Sequence, residues 1–264
     1  MLRALSDLKG YAIEASDGLI GHVEQVYFDD EKWAIRYLVV RAGTWFDTRE
    51  VLLSPISLGE THWETRTLTV RLTKDKVKHS PPIELHKPVS QQEDQYNDYY
   101  GWSSYWGNVG LWARWGTPVM MATPPHPDDR NHLLRASGDR HLRSSAEVAG
   151  YHLHAIDDPI GHVEDFIIDD ETWAIRYVVV NTSNWGLGRK VLIAPDWVVA
   201  VHADDESVDL LMTADVVKRS PTWEPGEPIT PDYEAALADY YRQRRAWANQ
   251  PGSNELPMAN PPRG

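Results

Sequence analysis

Residues 21–40 read GHVEQVYFDDEKWAIRYLVV, and residues 161–180 read GHVEDFIIDDETWAIRYVVV. From Gly21 to Phe28 apolar and polar residues alternate, which is the period of a half-buried β-strand. Asp29 to Lys32 is a polar turn, because an Asp side chain bonds readily to the backbone just beyond it. Ile35 to Val40 is β-branched and apolar, the strongest strand signal in the chain. The stretch predicts a β-hairpin, and the repeated stretch predicts the same hairpin again.

Around the hairpin the offset of 140 holds without a gap from Gly10 to Pro81. Gly10-Tyr11 recurs as Gly150-Tyr151, and Val51-Leu52 and Pro55 recur as Val191-Leu192 and Pro195. Asp75, Val77, Lys78, Ser80 and Pro81 match Asp215, Val217, Lys218, Ser220 and Pro221. Roughly 30 of about 70 positions agree, far above chance, and the chain reads as a tandem duplication of one small domain. Two copies are too few for a solenoid. A weaker echo follows with a one-residue slip, where Asp98-Tyr99-Tyr100 resembles Asp239-Tyr240-Tyr241.

Short strands are also expected at Tyr11–Ala15, Glu50–Ser54 and Leu68–Leu72. Thr73 suits the cap of a short helix over Lys74–His79. The expected fold class is mainly β: two tandem small antiparallel β-barrels with short helices and a C-terminal helix. Thr230 and Pro231 fit the start of that last helix, which runs to Ala248. The expected organisation is a first domain over 1–116 with an aromatic-rich extension. A Pro-rich, polar linker follows over 117–145, then a second domain over 146–249 and a disordered tail over 250–264.

Composition narrows the function. The net charge is −13, so an acidic surface repels nucleic acid and no such partner is expected. With no cysteine, disulfides, thiolate metal sites and cysteine nucleophiles are excluded. No apolar run is long enough to span a membrane, so direct insertion is not expected and the cytoplasm is the expected location. The chain has 12 Trp and 12 Tyr against 3 Phe. These rings combine an apolar body with a polar handle and favour half-wet contact surfaces.

The stretches from Gly21 and Gly161 resemble the PRC-barrel domain. So do the following Trp45, Arg49-Glu50-Val51-Leu52-Leu53 and their counterparts Trp185, Arg189-Lys190-Val191-Leu192-Ile193. That family includes the cytoplasmic domain of the photosynthetic reaction-centre H subunit and the C-terminal domain of a ribosome maturation factor. The resemblance implies a protein-binding or assembly module rather than a reaction.

The candidate partner anchors are Trp45, Trp102, Trp106, Trp112, Trp115 and Trp185, because Trp dominates interface hot spots. For the stretch Tyr96 to Trp115, packing back onto the first copy is an equal alternative. Glu24 and Arg36, and likewise Glu164 and Arg176, are expected to form cross-strand ion pairs that fix the hairpin register. His22/His162 and His62/His202 recur but bring no third ligand, so no metal is expected. The run Asp29-Asp30-Glu31 lacks the alternating ligands and glycine of a calcium loop and reads as a solvated turn. No nucleophile elbow, phosphate loop or zinc-protease motif occurs. The expectation is therefore a non-catalytic module without cofactor. It binds a protein partner of unknown identity, and homodimerisation is open to it. The alternatives are a peripheral component of a reaction-centre-like or other membrane electron-transfer complex, and a metal-dependent enzyme using the duplicated histidines.

Overall fold

The computed structural model describes residues 1–44, 47–83, 89–102, 141–182 and 188–248. The first half runs β1 (Leu2–Ala4), β2 (Ala12–Ala15), β3 (Gly18–Asp29), β4 (Ala34–Thr44), β5 (Asp47–Leu53), β6 (Leu58–His62), β7 (Thr67–Val70), α1 (Lys74–Lys78) and α2 (Glu93–Tyr100). The second runs β8 (Leu142–Ser144), α3 (Ser145–Val148), β9 (His152–His154), β10 (Pro159–Asp169), β11 (Ile175–Asn181), β12 (Lys190–Ile193), β13 (Val198–His202), β14 (Ser207–Leu210), α4 (Ala214–Lys218) and α5 (Pro231–Ala248).

Each half builds its sheet in the same strand order, β5-β4-β3-β2-β7-β6 and β12-β11-β10-β9-β14-β13. The fold is mainly β with few helices. Two details of the expected barrel are corrected. The end strands β5 and β6, and β12 and β13, are not hydrogen-bonded neighbours, so neither ladder closes. Each half also contains a parallel pair, β2 with β7 and β9 with β14, so the sheets are mixed. The gap has a local cause. Pro55 and Pro195 open 3-10 turns at Pro55–Ser57 and Pro195–Trp197, and proline has no N–H with which to continue a ladder.

The seventh strand of each sheet comes from the other half. β1 pairs with β10, with Arg3 opposite Ile168, and β8 pairs with β3, with Arg143 opposite Phe28. The halves thus exchange their leading strands reciprocally. β8 lies inside the segment read as linker, and the expected boundary at 145/146 falls within α3, after its first residue.

The two hairpin turns meet between the exchanged arms. Ala34 bridges Ala174, the Ile35 N–H donates to the Trp173 carbonyl at 2.9 Å, and the Ile175 N–H donates to the Trp33 carbonyl at 2.7 Å. Trp33 and Trp173 reach these positions with φ of 54° and 60°, a left-handed conformation uncommon for a bulky residue. One hydrophobic core runs through the seam, with Phe28 against Phe166 at 5.0 Å between ring centroids. Fully burying each Val, Ile or Leu contributes about 1.5–3 kcal/mol, so joining the cores suits units too small to bury much alone.

The hairpin motif starts with glycine for a steric reason. A Cβ on Gly21 would lie 1.9 Å from the Arg41 carbonyl oxygen, and one on Gly161 would lie 2.0 Å from that of Asn181. The expected helix caps are present. Thr73 Oγ1 accepts from the Lys76 N–H, and Thr230 Oγ1 accepts from the Tyr233 N–H, both at 3.2 Å.

Candidate functional site

The exchanged arms are locked by equivalent ion pairs. Arg143 Nε donates to Asp30 Oδ2 at 2.6 Å, and Arg3 Nε donates to Asp170 Oδ2 at 2.7 Å. Both carboxylates are almost wholly buried. Asp30 also meets His141 Nδ1 at 2.8 Å, and Asp170 meets the amino terminus at Met1. The preceding carboxylates shape the turns instead. Asp29 Oδ1 accepts from the Glu31 and Lys32 N–H groups, and Asp169 Oδ1 accepts from those of Glu171 and Thr172. The acidic run is therefore a turn former followed by a buried lock, not a fully solvated turn. Arg3 and Arg143 went unmarked in the sequence although they stand at the repeat offset.

Neighbouring contacts hold each arm along its length. Ser144 Oγ donates to Gln25 Oε1 at 3.3 Å. At the equivalent position of the second half, Asp165 accepts from the Ser6 N–H at 3.1 Å and from Ser6 Oγ at 2.5 Å. Burial raises the Asp165 carboxyl above the ordinary range, and the Ser6 and Phe166 hydrogen bonds oppose that shift in part.

The expected Glu24–Arg36 and Glu164–Arg176 ion pairs do not form. The β3–β4 ladder slips once between Val23 and Gln25 and again between Tyr27 and Phe28. Glu24 and Arg36 are the bulged residues at those two slips, about 12 Å apart along the hairpin. Glu24 instead meets Arg41 at 3.1 Å and His22 at 2.9 Å. Glu164 meets Lys190, and accepts from Asn181 Nδ2 at 2.9 Å. Arg36 is 1% exposed and reaches Asp29 at 3.2 Å and Glu93 of α2 at 2.5 Å. Arg176 is 51% exposed, with Glu234 of α5 at 3.9 Å.

The helices after each sheet dock alike. The Tyr99 hydroxyl donates to the Lys76 carbonyl at 2.8 Å, and the Tyr240 hydroxyl donates to the Val216 carbonyl at 2.6 Å. Tyr96 of α2 is fully buried against Tyr37, Val39 and Leu52. Burial raises the Tyr100 hydroxyl to about 12 and raises that of Tyr241 as well. Glu93 to Trp102 thus packs back onto the first sheet. Trp102 is half-buried and stacks on Tyr100, with ring centroids 4.1 Å apart. Trp45, Trp106, Trp112, Trp115 and Trp185 lie outside the described residues.

The surfaces around β13 and β6 differ between the halves. On β13, just past the end of β14 and in the turn after β9, Val199, Leu211 and Ile156 are 62%, 55% and 67% exposed. The equivalent positions of the first half hold Gly59, Arg71 and Ser16. Ile156 and Leu211 sit on neighbouring strand ends, because the Ile156 N–H donates to the Met212 carbonyl at 3.0 Å. Beside them Asp209 bridges two histidines, His202 at 3.0 Å and His154 at 3.6 Å. Among the described residues no group of three or more His, Asp or Glu side chains could hold a metal ion, and no helix is long and apolar enough to cross a membrane.

Residues 2–78 match the family model of the PRC-barrel domain, so the first half of the chain carries a PRC-barrel domain. The matched unit begins at the first residue of β1, the strand that joins the other sheet. No curated protein matches the chain.

Proposed function

We propose that this chain, with its PRC-barrel domain at residues 2–78, is a non-catalytic protein-binding module. In this reading two PRC-barrel-like units are fused through their exchanged strands into one rigid scaffold. The observation that carries it is the apolar edge of β13, a terminal strand among the described residues whose Val201 carbonyl accepts from Arg143 Nη2 at 3.5 Å. That strand ends its sheet, and its sequence Val198-Val199-Ala200-Val201-His202 is apolar where β6 reads Leu58-Gly59-Glu60-Thr61-His62. Natural sheets usually blunt such an edge with charge or proline. Here Ile156, Val199 and Leu211 enlarge it into an exposed apolar patch.

The occupant that fits is an extended protein segment added as a further strand, with aliphatic side chains and Lys or Arg beside them. The exposed Asp157, Asp158 and Asp196 adjoin the patch in sequence and supply the complementary charge. Affinity capture from cells that express the chain, followed by reconstitution with the purified captured protein, tests the reading. The expected result is a stoichiometric complex with the wild type that is lost with Val199→Asp/Leu211→Asp. Equal binding by the variant, or no stoichiometric partner, overturns it.

A further inference from the structure

A second outward feature belongs to the first half alone and stands independently of the protein-partner reading. A half-open cleft of about 460 Å³ lies between the start of β3, the end of β4 and α1. Its volume falls within the range of small-molecule sites, roughly 300–1,000 Å³. The floor is apolar, formed by the buried Ile20, Ala42 and Val77, and the exposed Leu19 stands at the rim.

The polar lining is cationic although the chain as a whole is acidic. Arg49, Lys74 and Lys78 face the cleft with Asp17 and Asp75. Three cationic side chains therefore stand against two carboxylates, and each carboxylate has a partner. Asp17 Oδ1 accepts from the Lys74 N–H at 2.8 Å, and Asp75 pairs with His79 at 3.2 Å. Two guanidinium nitrogens of Arg49 donate to the carbonyls of Lys78 and Ser80, while its buried Nε has no acceptor among the described residues. The Lys74 and Lys78 ammonium groups also have no partner among the described residues.

The second half repeats this lining only in part: Asp157, Arg189, Asp215 and Lys218 stand at the equivalent positions, and other lining residues differ. Lys74 is replaced by Ala214, which is 2% exposed, and Leu19 is replaced by Pro159. Ala42 is replaced by Thr182, whose hydroxyl donates to the Arg189 carbonyl at 2.9 Å.

We propose that this cleft binds a small amphiphilic organic anion, its apolar body on the Ile20–Ala42–Val77 floor and its carboxylate between Lys74 and Lys78. The pairing is specific in both parts. A charged headgroup without a tail leaves the floor uncovered, and a tail with a cationic head meets repulsion at the lysines.

Calorimetric titration of the full chain with sodium decanoate, below its micelle concentration, tests the assignment. The expected result is saturable one-to-one binding that is weakened about tenfold or more by Lys74→Ala and by Lys78→Ala, and is unchanged by Lys218→Ala in the second half. Acetate and decyltrimethylammonium are expected not to bind. Absence of saturable decanoate binding overturns the proposal. So does retention of full affinity by Lys74→Gln/Lys78→Gln, or equal binding of the decyl cation. All three lysines are exposed, and circular dichroism on each variant separates lost binding from lost fold.

Discussion

Replacing Arg143 with alanine removes the lock on one exchanged arm and leaves the Asp30 carboxylate almost wholly buried, with His141 as its remaining ionic partner among the described residues. Breaking a buried ion pair by deleting one partner costs about 3–5 kcal/mol. Arg143 is about one-fifth exposed and His141 remains at 2.8 Å, so the expected cost is nearer 2–3 kcal/mol. Asp30→Ala leaves a cation that can turn towards water, and about 1–2 kcal/mol is expected. The double variant should then show a coupling of about 1–2 kcal/mol. Arg3→Ala and Asp170→Ala repeat the cycle on the other arm. The two arms share no partners, so losses of Arg3 and Arg143 should add to about 4–6 kcal/mol, close to the whole stability of many domains. Urea unfolding read by tryptophan fluorescence and by circular dichroism measures all of these. A coupling below about 0.5 kcal/mol would refute the lock. Two separable unfolding transitions in the wild type would refute the single cooperative unit.

The strand exchange predicts that co-expressed halves, divided between Trp102 and His141, elute as one 1:1 complex in size-exclusion chromatography. Two independent particles would contradict it. At Asp165 the raised folded pKa means that the folded state holds its proton to higher pH than the unfolded state. The group therefore costs stability above its folded pKa, and that cost disappears as pH falls below the unfolded value of about 4. Asp165→Asn is expected to raise the urea midpoint at pH 7 and to lose that advantage below pH 4, and the opposite trend would show that the Ser6 hydrogen bonds outweigh burial. Gln25 already places a neutral amide at the equivalent position of the first half.

The hairpins and the helix caps were legible because their signals are local. Alternation from Gly21, the Asp29 turn and the hydroxyls of Thr73 and Thr230 each act within a few residues. The exchanged arms were not legible by periodicity, since three residues such as Leu2-Arg3-Ala4 are too few to show a period. Only the match of Leu2-Arg3 to Leu142-Arg143 marks them, and nothing local tells a strand which sheet to join. The failed Glu24–Arg36 pairing has another cause. A bulge adds one residue to one strand without altering its composition, so two bulges moved both side chains to new partners while the two hairpin strands stayed near their expected places. The packing of Tyr99-Tyr100 was legible through their echo in Tyr240-Tyr241, whereas Trp102 has no such echo and its stacking on Tyr100 was not.

What the halves share and where they differ fall on different surfaces. Arg3 and Arg143, Asp30 and Asp170, and the Ala34–Ala174 contact are repeated, and all of them join the halves. The apolar Val199 and the cleft's Lys74 are not repeated, and neither is among the residues that join the halves. Arg36 and Arg176 show how one residue serves two ends, buried against Glu93 in one half and exposed near Glu234 in the other. A symmetric dimer of a single unit would use the same isologous seam but would carry every outward substitution twice. Joining both units in one chain removes that constraint. The seam can stay symmetric while an apolar edge develops on one half and a cationic cleft on the other.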